Sequence, residues 1–101
     1  MGVDSRVVSD AVVVWTGFGS APSPSRDEQR LTDRYGRELS RELLPALKSL
    51  EDEFYSSDAK TNAPTLVAMG EQASAAFRVL HPEISDEAVR ALAWCYTFDF
   101  K

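Results

Sequence analysis

The two side chains best suited to covalent or acid–base chemistry are Cys95 and His81, each the only residue of its type in the chain. A thiol becomes a useful nucleophile when a neighbouring base or cation raises its thiolate population. Cys95 falls at the edge of an apolar helical face, where a free cysteine usually serves as a small buried hydrophobe. His81 precedes Pro82 and so stands at a helix end, where imidazolium can meet the terminal carbonyls. One Cys makes no internal disulfide, and one Cys with one His is too few for a zinc centre. Glu38 and Glu42 share a helix face at i,i+4 but lack the E-x-x-H partner of a di-iron bundle. The loop Gly17-Phe18-Gly19-Ser20 follows an apolar run. Pro22 stands where a dinucleotide loop has its third glycine, and no Gly-Lys-Ser/Thr is present. No spacing singles out a reaction, so the expectation is a non-enzymatic protein with no cofactor and no metal.

Charge offers a second candidate. Arg26, Arg30, Arg34, Arg37 and Arg41 lie within about 80° of arc if they share one helix. Arg30, Arg34, Arg37 and Arg41 are the candidate contacts for an anion or nucleotide. The same segment, residues 26–42, holds five arginines and five acids. Asp33–Arg37 and Arg34–Glu38 are spaced i,i+4, and Asp27–Arg30 and Glu38–Arg41 i,i+3, the spacings of ion pairs on an exposed helix.

Aromatic residues offer a third. Trp94, Tyr96, Phe98 and Phe100 crowd the C-terminus. A last helix packed through Ala88, Val89, Leu92, Ala93 and Tyr96 points Trp94 away from the core, with Phe98 one turn further along that side. Such an apolar patch commonly marks an interaction site, and large aromatics are favoured interface anchors. Trp94, Phe98 and Phe100 are therefore the candidate protein-contact residues. The competing expectation is that residues 1–16 cover this face within the monomer.

Composition bounds the rest. The chain has 101 residues, 44% hydrophobic and 27% charged, as expected of one globular domain. Eleven Lys+Arg against 16 Asp+Glu leave a net charge of -5, which disfavours general nucleic-acid binding. No apolar run approaches a membrane span. Asp4 and Asp10 interrupt any secretory apolar stretch, and Arg6 stands where a myristoylation motif needs Ser or Thr. A cytoplasmic protein is expected.

These candidates need elements to hold them. Val7, Val8, Ala11, Val12, Val14 and Trp15, with Val3, recur on one side of a helix over 3–16. Residues 17–25 form an internal loop of Gly, Pro and Ser. Ser25 and Glu28 are spaced as a capping box. Leu31, Tyr35, Leu39, Leu43, Leu47, Leu50 and Phe54 then trace an apolar stripe. Pro45 predicts a kink or break near 41–45 in this long second helix. Leu66, Met69, Gly70, Ala73, Ala76, Phe77 and Leu80 define an amphipathic helix whose small residues admit a close neighbour. Ser85 caps a final helix, with Ile84 and Val89 as its staple.

The expected fold is a small all-α bundle of four or five helices in a single domain spanning 1–101. The alternative is α+β, with 11–16 and 96–100 paired as strands. The expected function is a protein-interaction module that binds another protein or itself, a homodimer included. Two alternatives are a toxin-neutralising, immunity-type protein and the anion binder above.

Overall fold

The computed structural model describes residues 4–57, 59 and 63–100. Five helices make up the fold among the described residues: α1 (Ser5–Thr16), α2 (Glu28–Tyr35), α3 (Arg37–Tyr55), α4 (Leu66–Leu80) and α5 (Asp86–Phe100). Among the described residues no strand occurs, so the α+β alternative is corrected: both 11–16 and 96–100 are helical. Trp15 and Tyr96 show why. Each is fully buried on a helical face, in one apolar core with the residues a turn away.

In α1 the Asp4 carboxylate accepts from the Arg6 N–H at 2.8 Å, the first capping bond. Val8, Ala11, Val12 and Trp15 are buried at i, i+3, i+4 and i+7. The expected member Val3 lies outside the described residues. Gly17 ends the helix with φ +79°, a left-handed conformation that glycine reaches without strain. The loop then folds back on the helix end. Ser25 N–H donates to the Thr16 carbonyl at 3.2 Å, and Asp27 N–H donates to the Trp15 carbonyl at 3.1 Å. Open carbonyls of the last turn are satisfied in this way.

The expected capping box is not formed. Asp27, not Ser25, caps α2 by accepting from the Gln29 N–H at 2.9 Å, and the Ser25 hydroxyl accepts instead from Arg30. The long helical segment does divide in two, but at Gly36 rather than at 41–45. Gly36 adopts φ +84°, ψ +164°, a region essentially restricted to glycine. α3 runs on through Pro45. Pro45 and Arg41 are both exposed, so the carbonyl that loses its helical donor lies on the solvent side. Leu31, Leu43, Leu47, Leu50 and Phe54 are buried as the stripe requires, with Tyr35 and Leu39 half-buried.

α4 and α5 form an antiparallel pair joined by the turn 81–85. Thr65 caps α4 through its hydroxyl at 3.1 Å from the Ala68 nitrogen. Ser85 caps α5 in the same way through Ala88, as expected, and the staple residues Ile84 and Val89 are both buried. The face of α4 differs from expectation. Met69, Gly70, Ala73, Ser74 and Phe77 are buried, whereas Leu66, Ala76 and Leu80 are exposed. The two helices come close at Gly70, where an added Cβ would sit 3.0 Å from Thr97 Cγ2. α1 packs on α5, α2 and α3, while α3 also supports α4. Ser9 joins α1 to the start of α5 by accepting from the Ser85 N–H at 3.0 Å.

Candidate protein-contact site

Trp94 and Phe98 lie one turn apart on the side of α5 turned from the core. Trp94 is half-buried because Phe18, just beyond α1, meets its ring edge-on at 5.5 Å. The loop thus covers part of this face, and the neighbouring Ala91 and Cys95 are buried. Coverage stops there. Phe98 is 41% exposed, and across from it on α4 Leu66 is 42% and Val67 71% exposed. These side chains, with Thr97, line a groove of about 310 Å³ between the two helices. The groove continues past Gly70 and Ala93 toward Arg78 and Arg90.

Phe100 belongs elsewhere. It lies nearly opposite Phe98 around the helix and packs on Tyr96 at 5.0 Å and Tyr55 at 5.8 Å between ring centroids. Beside it sits a polar clasp. The Arg26 guanidinium donates to Glu51 at 2.6 Å, to the Tyr55 hydroxyl at 2.7 Å and to Asp99 at 2.9 Å. Tyr55 donates in turn to Asp99 at 2.5 Å. Burial opposes the charge on Arg26, but its bonds to Asp99 and Glu51 outweigh burial and hold its pKa above the ordinary value. Asp99 shows the converse: burial raises its carboxyl pKa, and bonds from Tyr55 and Arg26 bring it below the usual range. Burial and the bond to Asp99 both raise the Tyr55 phenol.

The arginine stripe is not continuous. Arg26 precedes α2, Arg30 and Arg34 lie on α2, and Arg37 and Arg41 follow the break at Gly36 on α3. Arg30 donates to Ser25 at 2.9 Å and to the Trp15 carbonyl at 3.3 Å. Arg34 pairs with Asp10, which also accepts from Tyr35. Arg37 and Arg41 are exposed and carry no ion pair among the described residues. None of the four pairs suggested by helical spacing forms among the described residues. The turn at Gly36 breaks the register that two of them, Asp33–Arg37 and Arg34–Glu38, need.

Cys95 and His81 face different neighbours. Cys95 is buried, and burial pushes its thiol up to about 11 despite the nearby Arg26. His81 closes α4 and bonds through its two ring nitrogens to Glu53 and Glu83. Burial pulls its pKa down, but the two carboxylates more than reverse this.

Sequence reasoning missed Val67 and gave Leu66 to the core. Val67, Glu71, Ser74 and Arg78 share one flank of α4 by helical spacing, but only the position of α5 turns that flank into a wall. Compared with known proteins, the chain matches no family model, no curated protein and no solved structure. Among the described residues, no helix is long and apolar enough to cross a membrane.

Proposed function

We propose that the protein is a non-enzymatic interaction module of the cytoplasm that binds another protein, or a second copy of itself, through the surface around Trp94 and Phe98. The observation that carries this is the groove between α4 and α5, where Leu66, Val67 and Phe98 stand exposed around a half-buried tryptophan. Burying a large aromatic contributes a few kcal/mol, at about 25 cal/mol per Å², before association costs are subtracted. The contact centres on Trp94 and Phe98 and leaves Phe100 to its packing on Tyr55 and Tyr96. The arginines favour an anion site less, since Arg26, Arg30 and Arg34 are already engaged within the fold.

The test places a photo-reactive phenylalanine analogue at position 67 or 98 and irradiates cells making the protein. A discrete protein adduct is expected at both positions and is lost when Trp94 is replaced by Ser in a chain still helical by circular dichroism. No adduct from either position overturns the proposal. Sedimentation of the purified protein at high micromolar concentration then separates the two versions: a strict monomer removes the homodimer and leaves a different partner.

A further inference from the structure

We infer that the occupant of the α4–α5 groove is an amphipathic α-helix of a partner protein, carrying a pair of large apolar side chains and, about two turns away, an Asp or Glu. This rests on the proposed function and names the chemistry of its partner. A valley between two antiparallel helices accepts a third helix, whose side-chain ridge fills the space between their ridges. The walls set what that ridge must carry. On α5, Arg90, Trp94 and Phe98 form one row at i, i+4 and i+8. On α4, Leu66 and Val67 face the Trp94 end, and Arg78 faces Arg90. The groove is therefore apolar at one end and flanked by two guanidinium groups at the other.

Those guanidiniums are available. Arg90 is exposed and carries no ion pair among the described residues. Arg78 is held by one exposed contact, to Asp86 at 3.4 Å, and such pairs contribute little and exchange readily. Glu71 is the acid of the lining and lies nearer the apolar end, so it disfavours a carboxylate there. A carboxylate laid between Arg78 and Arg90 gains two charge-assisted partners. From Phe98 to Arg90 the helix rises about 12 Å, which fixes the two-turn separation on the occupant. The chain as a whole is net -5, so two arginines lining one end, Arg78 with Asp86 as an exposed partner and Arg90 exposed, set this part of the groove apart from the surface around it.

The test is a display library of helical peptides about fifteen residues long, randomised on one face and selected on the full chain. Selected peptides are expected to share an apolar pair one turn apart and an Asp or Glu about two turns from the member of the pair that meets Phe98. Their affinity should fall about tenfold or more with Val67→Glu, and about tenfold with Arg90→Glu. Replacing the peptide's acid by Lys should restore binding to Arg90→Glu and weaken binding to the unaltered chain. Both substituted positions are exposed, and circular dichroism checks that the fold is kept. Selection of no peptide overturns the inference, as does selection of peptides without the acid or indifferent to Arg90→Glu. A homodimer that Phe98→Ser dissociates, with no peptide selected, upholds the interaction module and overturns this choice of partner.

Discussion

Phe98 and Phe100 are almost equally exposed, at 41% and 40%, yet they border different kinds of surface. Phe100 leans on two tyrosines beside a guanidinium that is shared by two carboxylates and a phenol. Its surroundings are already knit together. Phe98 borders a groove whose opposite wall presents Leu66 and Val67 to solvent. Equal exposure thus goes with unlike surroundings. What separates them is whether the neighbouring groups have satisfied one another.

The largest test of that contrast is Arg26→Met. It leaves the half-buried Glu51 and the more exposed Asp99 near each other without their cation. The expected cost is about 2 kcal/mol in urea unfolding at neutral pH. The acid limb should change as well. Asp99 has a lowered folded pKa, so its contribution is present above the ordinary 3.8 and is lost as pH falls through the lower folded value. Arg26→Met should flatten that limb, and an unchanged limb would show that the clasp contributes nothing to the polar side of the contrast.

Next in size is the direct pair. Phe100→Ser should cost about 1–2 kcal/mol through lost ring packing, whereas Phe98→Ser should cost about 1 kcal/mol or less and raise solubility. Thermal melts of the two variants decide the matter, and the reverse order would break the comparison.

Smaller again is a cycle at the groove floor. Gly70→Ala adds a methyl 3.0 Å from Thr97 Cγ2, so little net gain is expected in the unaltered background. With Thr97→Ser, which removes that methyl and keeps a hydroxyl able to bond the Ala93 carbonyl, the same change should stabilise by up to about 1 kcal/mol of helix propensity. Equal effects in both backgrounds would show that the helices do not meet there.

The smallest effect concerns the closed end of the α4–α5 pair. The folded pKa of His81 is raised, so its bridge to Glu53 and Glu83 is fully present below the ordinary 6.5 and is lost as pH rises through the folded value. Stability should decline slightly over that window, and His81→Gln should abolish the slope.

Much of the architecture was legible because helices announce themselves locally. The spacing of Val8, Ala11, Val12 and Trp15, the apolar stripe from Leu31 to Phe54 and the cap at Ser85 are all short-range patterns. Misplacements came where two local signals competed. Pro45 is the stronger helix breaker by type, but it sits exposed within α3, while Gly36 supplies the positive φ that the chain turns on. Moving that break splits the arginine stripe. Ser25 and Asp27 are both good caps, and the folding of the loop onto α1 assigns that task to Asp27. The site was half visible: helical angle placed Trp94 and Phe98 together, but Val67 joins them only through tertiary packing. Arg26 meets Glu51, Tyr55 and Asp99 from far along the chain, and no spacing rule could foresee it.

The bond between Ser9 and the Ser85 backbone ties the first helix to the start of the last. Val8, Val12 and Trp15 are made about eighty residues before the helix that packs over α1, and a chain holding only the first four helices leaves that apolar face open. Such a fragment would be prone to aggregation or proteolysis until α5 docks.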